Sequence, residues 1–359
     1  MKENYYALLM AGGVGSRFWP VSTAANPKQF QDILGTGVTL LQTTFNRLAQ
    51  LIPKENILIL TNKEYKDIVQ EQLPGVKPEQ IVLEPEMRNT APSILLGALK
   101  VMQKDENGVM VVAPSDHWIQ GEDAFIANIR EAFEAVEKQD MLVTLGIGPT
   151  FPNTGYGYIN YDKEAETNLK PVLRFTEKPS FKKAEKFLED GNYVWNAGIF
   201  IWSARFILEN FKKYLPEMHR LLTRNEEVYN TPKEQEFLDE NYAQADNVSI
   251  DYGIMENSDR VYVIPAEFKW NDLGTWTSLQ DELPHDEHGN TAVNAQLMPE
   301  AASGNIIRTQ GHKIVVVDGL ENYIVVESEK VLLIVPKNKV QEIKDIRNQV
   351  MEKFGKDMG

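Results

Sequence analysis

Short, almost wholly apolar runs alternate with amphipathic stretches through the first half of the chain. Residues 5–11, 57–61, 80–84, 109–113 and 141–147 are such runs. An apolar run without alternation suits a strand covered on both faces of a parallel sheet. Between these runs, residues 39–51, 63–73, 91–104 and 122–138 space their apolar positions at helical intervals, as Phe125, Ile129, Phe133 and Val136 do. Strand and helix in alternation predict an α/β architecture, a mostly parallel sheet flanked by helices. Ligands of such sheets sit beyond the carboxyl ends of the strands. A glycine-rich loop after the first run, Glu84-Pro85 and Pro114-Ser115-Asp116 all fall there.

From about residue 155 to 275 the pattern is less regular. Strands are expected at 156–161, 172–175, 199–202 and 261–264, and helices at 180–190, 204–214 and 233–241, as part of the same mixed domain. Residues 282–304 are rich in Pro, His, Asn, Gly and acidic side chains and read as a linker. Four β-prone runs follow at 305–307, 314–317, 323–326 and 331–335, then a helix over 338–354. By themselves these runs describe a small antiparallel sheet. At 359 residues the chain exceeds the size at which a single core usually stops growing. The expected division is a catalytic domain over 1–281, the linker over 282–304 and a β-rich unit over 305–359.

Composition narrows the function. A net charge of −15 argues against a nucleic-acid partner, so any polyphosphate must be held by a local basic pocket. No cysteine is present and none of the five histidines is paired at i, i+4, which leaves a hard cation on carboxylates as the plausible metal. No apolar run approaches the length needed to span a membrane, and the N-terminal run is too short for a secretory signal. A soluble cytoplasmic protein is expected.

The chemistry concentrates in Leu8-Leu9-Met10-Ala11-Gly12-Gly13-Val14-Gly15-Ser16-Arg17-Phe18-Trp19-Pro20 and Pro27-Lys28-Gln29-Phe30. Gly12, Gly13 and Gly15 let main-chain N–H groups turn toward phosphate oxygens. Arg17 adds a planar fork of donors and Lys28 a mobile point charge, together enough to neutralise much of a triphosphate. The dinucleotide fingerprint does not fit, because Phe18 stands where its last glycine belongs, and the P-loop ending Gly-Lys-Ser/Thr is absent. A glycine turn in an ordinary α/β protein remains the plain alternative for the glycines alone.

The string Ala-Gly-Gly-Val-Gly-Ser-Arg-Phe-Trp-Pro with Pro-Lys-Gln-Phe resembles the opening of sugar-nucleotide pyrophosphorylases and, within them, the mannose-1-phosphate guanylyltransferases (GDP-mannose pyrophosphorylases). Phe18 replaces the family's commoner leucine and Ser16 its commoner threonine. The resemblance continues in Glu84-Pro85-Glu86-Met87-Arg88-Asn89-Thr90-Ala91-Pro92, Pro114-Ser115-Asp116-His117, Phe175-Thr176-Glu177-Lys178-Pro179, Trp195-Asn196-Ala197-Gly198-Ile199-Phe200, Ser249-Ile250-Asp251-Tyr252-Gly253-Ile254-Met255-Glu256 and Trp270-Asn271-Asp272-Leu273-Gly274-Thr275-Trp276.

The resemblance implies a Rossmann-like nucleotidyltransferase domain followed by a short left-handed β-helix; a homodimer is the expected assembly. The implied reaction joins GTP and mannose 1-phosphate to give GDP-mannose and pyrophosphate, with Mg²⁺ as cofactor. The sugar phosphate is itself a nucleophile, so positioning and charge neutralisation suffice and no triad is needed. Arg17, Lys28, Asp116 and Asp272 are the implied catalytic residues, with Asp116 and Asp272 sharing the metal. The nucleotide is assigned to Ala11, Gly12, Gly13, Gly15, Ser16, Arg17, Lys28, Glu84, Arg88, Asn89, Thr90, Ser115 and Asp116. Sugar phosphate is assigned to Gly157, Glu177, Lys178, Asn196 and Asp251. Each has a plain alternative: Asp116 or Thr90 as a helix cap, Asp272 as a turn residue, Glu177-Lys178 as a surface pair. Thymidylyl or uridylyl transfer to glucose 1-phosphate is the nearest rival, and a catalytically silent sugar-nucleotide sensor the rival from another class.

Overall fold

A computed structural model describes residues 2–359. Two compact units are distinguished: the larger takes the chain up to Gly12, Phe45–Ser115 and Ile119–Trp270, and the smaller takes Gly13–Thr44, Asp116–Trp118 and Asn271–Gly359. Among the described residues no helix is long and apolar enough to cross a membrane.

The larger unit is built on a nine-stranded sheet. Its first half holds β1 (Tyr5–Met10), β2 (Ile57–Asn62), β3 (Ile81–Glu84) and β4 (Val109–Pro114) in the order β3-β2-β1-β4, all parallel. Leu8 faces Leu58 on one side and Val112 on the other. These strands read as unbroken apolar runs because helices cover both faces; Ile94, Leu95 and Leu99 of the helix Thr90–Lys104 share one buried cluster with Leu8 and Val112. The second half is mixed rather than mostly parallel. Strand Tyr193–Ser203 runs antiparallel to both β4 and Leu142–Ile147, while Val261–Ala266 is parallel to Leu142–Ile147. Lys170–Thr176 and Tyr158–Tyr161 complete the far edge. The strand expected at 199–202 is much longer because it begins at Tyr193, where Asn196 and Gly198 interrupt the apolar pattern that marked its second half.

The smaller unit carries a four-stranded sheet of Thr291–Glu300, Ile306–Asp318, Tyr323–Glu327 and Leu332–Pro336. The segment read as a linker thus contains a ten-residue strand, hidden in the sequence by Asn294, Gln296 and Pro299. The runs at 305–307 and 314–317 belong to one strand. The first three strands are parallel, with Thr291 opposite Ile306 and Ile306 opposite Ile324, and only the last pair is antiparallel. Successive parallel strands spaced by a short coil stack like-placed residues: Asn290 Oδ1 accepts from the backbone N–H of Asn305 at 3.0 Å, and Asn305 Oδ1 accepts from that of Tyr323 at 2.9 Å. The unit's core joins Phe18, Trp19, Ile33 and Leu40 to Trp276, Ile306, Ile324 and Ile343.

Candidate active site

In the larger unit β1, β3 and β4 are parallel, so their carboxyl ends share one edge. Ala11 is tied down there: its carbonyl accepts from the Thr61 hydroxyl at 2.8 Å. Ser115 is buried, and its hydroxyl donates to the Met10 carbonyl at 2.7 Å, so it pins the end of β4 to the end of β1. Glu84 is 5% exposed and accepts a hydrogen bond from the Tyr242 hydroxyl. Burial pushes its carboxyl up to about 7, against the opposing hydrogen bonds from Tyr242 and Ser93. Gly12 lies beside this carboxylate, a Cβ on it standing 4.0 Å from Glu84 Oε2. Asn89, at φ +66°, caps the helix Thr90–Lys104 by accepting from the Thr90 N–H at 2.9 Å. Thr90 is therefore not the cap; its hydroxyl accepts from the N–H of Ile250 at 2.9 Å. Arg88 pairs with Glu86 at 2.9 Å.

A second group in the larger unit is built on strand Tyr193–Ser203. Asn196 donates through Nδ2 to Asp251 Oδ1 at 2.8 Å, while its own Oδ1 accepts from the Gly198 N–H at 3.0 Å, so the amide orientation is fixed. The Asn196 N–H donates to the Gly157 carbonyl at 2.8 Å. Burial, with the Glu177 charge adding to it, pushes the Asp251 carboxyl up to about 6. Glu177 is mostly buried and ion-pairs with the exposed Lys178 at 3.1 Å. A Cβ on Gly157 would come within 2.3 Å of Glu177 Oε2, so a larger residue there would displace that carboxylate. Lys178 itself sits at φ +45°, a conformation that costs a non-glycine residue on the order of 1 kcal/mol. Tyr156 packs edge-on against Trp195 and Trp270, at 5.1 and 5.2 Å between ring centres. Sequence reasoning gave these aromatic side chains no role, although Tyr156 lies between two glycines and both tryptophans open motifs. Tyr242 was missed altogether, since nothing local marks it.

In the smaller unit the glycine loop closes on Lys28. Gly15 adopts φ +68° and begins the turn Ser16–Phe18, and a Cβ on it would stand 2.4 Å from the Cβ of Lys28, so only glycine fits. Gly13 has open space over it. Arg17 is exposed and has no ion-pair partner among the described residues. Lys28 is not the mobile charge the sequence suggested. It is 3% exposed, and its ammonium donates to the carbonyls of Asp272 at 2.8 Å and Leu273 at 3.0 Å and pairs with Asp116 Oδ2 at 2.9 Å. Its N–H groups are thereby used. Burial raises the Asp116 carboxyl, but the Lys28 ammonium and His117 outweigh it and the net shift is downward, so Asp116 is ionised. Asp272 Oδ1 accepts from the Gly274 N–H at 3.0 Å in a tight turn whose middle residue, Leu273, has φ +46°. The smaller unit thus brings Asp116 and Asp272 onto one lysine. No group of three or more His, Cys, Asp or Glu side chains suited to a metal exists among the described residues. Two carboxylates are a hard, incomplete donor set, which suits a cation that keeps water and phosphate oxygens as its remaining ligands.

The family model described as nucleotidyl transferase matches residues 6–289. The chain belongs to the nucleotidyl transferase family. Its relatives include the xanthan biosynthesis protein XanB of Xanthomonas campestris, 36% identical across 96% of this chain and 72% of that one. The mannose-1-phosphate guanylyltransferase of Escherichia coli is 34% identical across 97% of this chain and 74% of that one. Among solved structures, a Thermus thermophilus protein described as a mannose-1-phosphate geranyltransferase superposes with a TM-score of 0.87 at 31% identity, covering 97% of this chain and 99% of the other. As a nucleotidyl transferase the chain is an enzyme, and its mixed α/β sheet with flanking helices is that family's catalytic architecture.

Proposed function

We propose that the protein transfers GMP from GTP to mannose 1-phosphate, releasing pyrophosphate and forming GDP-mannose. The reading is carried by the likeness to the Escherichia coli mannose-1-phosphate guanylyltransferase along 97% of the chain. The arrangement of Lys28, Asp116 and the Asp272 turn, with Arg17 exposed beside them in the chain, supports it.

A phosphate oxygen of the sugar phosphate attacks the α-phosphorus of GTP in line, forming one P–O bond as the bond to the β-phosphate breaks. Arg17, exposed and unpaired, is the donor fork for the triphosphate and for the charge that builds on pyrophosphate. Lys28 contributes its charge from a fixed position and holds Asp116 and the Asp272 turn in place. Asp116 and Asp272 would hold Mg²⁺, which when bound supplies charge neutralisation to the reacting phosphates. The open surface over Gly13 leaves room for phosphate against the main chain. Glu84, Arg88, Asn89, Thr90 and Ser115 are assigned to the nucleotide's surroundings, Ser115 and Thr90 through backbone positions since their hydroxyls are already bonded. Asn196, Asp251 and Glu177 are assigned to sugar hydroxyls, and Lys178 to the sugar phosphate.

Three further readings belong to the same proposal: the C-terminal coils wind left-handed, the enzyme works as a homodimer, and it acts in the cytoplasm. Exposed Ile314, Val316, Leu332 and Ile334 on the C-terminal sheet support the second. The deciding assay offers purified protein, Mg²⁺ and mannose 1-phosphate with GTP, ATP, UTP and dTTP in turn and follows pyrophosphate release. GTP is expected to give the highest kcat/KM. A higher value with UTP or dTTP, or with glucose 1-phosphate, overturns the assignment.

A further inference from the structure

The smaller unit holds a contact between its two ends that the chemistry above does not use. The Trp19 indole N–H, in a side chain 1% exposed, donates to the Met358 carbonyl at 2.6 Å. A few residues on, the Ala24 N–H donates to the main-chain oxygen of Gly359 at 3.0 Å. The tail making these two bonds is tied to the C-terminal coil by Lys330 and Asp357, 2.9 Å apart. The helix Ile343–Phe354 that leads into it packs against the turn Ser16–Phe18.

These bonds bracket the segment immediately after Arg17. The turn that presents Arg17 is closed by the Phe18 N–H on Gly15 and the Trp19 N–H on Ser16, at 2.9 and 3.3 Å. Its next residue is therefore the one the tail grips. A cavity of about 430 Å³, lined among others by Pro20, Val21, Asn26, Asp357 and Met358, adjoins the junction. Two hydrogen bonds join residues 358–359 to the segment, and the Lys330–Asp357 pair joins them to the C-terminal coil.

We infer that residues 357–359 are positioning residues for the nucleotide: through Trp19 and Ala24 they fix the turn that carries Arg17. The inference rests on Arg17 as the partner of the triphosphate. Residues 357–359 bond to Lys330, Trp19 and Ala24, none of which is assigned to a substrate, so their effect should reach GTP alone through Arg17.

Two variants of the full protein test this: Trp19→Phe, which keeps an aromatic ring and removes the N–H, and a chain shortened to end at Lys356. Each is assayed for the KM of GTP, the KM of mannose 1-phosphate and kcat, and for amide hydrogen exchange over residues 15–26. Loss of a buried hydrogen bond should raise the KM for GTP about tenfold and leave that for mannose 1-phosphate within about twofold. Exchange over 15–26 should quicken while that of strand Tyr5–Met10 stays unchanged. Equal rises in both KM values, or unaltered exchange over 15–26 in both variants, overturn the inference. If the unaltered protein transfers no GMP, the proposed function fails, and the exchange measurement still decides whether the tail holds the turn.

Discussion

Lys28 Nζ lies 2.9 Å from Asp116 Oδ2 and at the same time donates to the backbone carbonyl of Asp272 at 2.8 Å. One buried ammonium therefore joins a residue that follows β4 to a turn far along the chain, and it does so with its hydrogen-bonding capacity used up. Arg17, the other cation of the glycine loop, is exposed and has no ion-pair partner among the described residues. Two basic residues that look equivalent in sequence have different work.

Arg17→Ala should therefore be a kinetic variant only. A roughly 10³-fold fall in kcat, about 4 kcal/mol of transition-state stabilisation, is expected with little change in Tm. Lys28→Met should lose activity and also stability, roughly 3 kcal/mol, because it strands Asp116 and two carbonyls. Parallel kinetics and thermal melts separate the two; equal Tm losses would contradict the division of roles.

Asp116→Asn and Asp272→Asn should each fold, lose most turnover and need more Mg²⁺ for what remains. Carboxylates that share a site with a polyphosphate make chemical sense chiefly with a cation between them, and Lys28 pairs with the Asp116 carboxylate while meeting Asp272 only through its backbone carbonyl. Titration of activity against Mg²⁺ checks this. Unchanged half-saturation in both variants would mean the cation is held elsewhere.

Gly157→Ala should act on the sugar side alone. The new methyl would meet Glu177 Oε2 at 2.3 Å, and the flexible carboxylate, not the strand, gives way. Losing one charged hydrogen bond to the sugar should raise the KM for mannose 1-phosphate by roughly tenfold or more, with the KM for GTP held. A normal KM for the sugar phosphate would remove Glu177 from its assigned role.

Glu84 makes stability depend on pH in a defined sense. Its folded pKa, about 7, is above its ordinary 4.5, so the fold favours the protonated form. The stabilisation is complete below about pH 4.5 and is lost as pH rises through 7, a difference on the order of 3 kcal/mol. Glu84→Gln keeps an acceptor for Tyr242 and cannot ionise, so its Tm should gain on the parent protein between pH 5 and 8. Melting curves that stay parallel across that range would show that Glu84 is not the titrating group.

Local pattern was enough to place β1 to β4 and their helices, because a strand covered on both faces leaves an unbroken apolar run that needs no tertiary knowledge to read. The glycine loop was legible for a similar reason: Gly15 is demanded by its own φ of +68°. Tertiary structure alone decided what each charge does. It buried Lys28 among three acceptors and left Arg17 free. It turned Asn294 to Pro299, linker-like by composition, into part of a ten-residue strand by stacking it on Ile306–Asp318. Tyr242 and Met358 reach Glu84 and Trp19 across distances in sequence that no periodicity spans. Propensity and periodicity are set by neighbours a few residues away, whereas burial, ionisation and hydrogen-bond partnership are set by whatever the fold brings within a few ångströms.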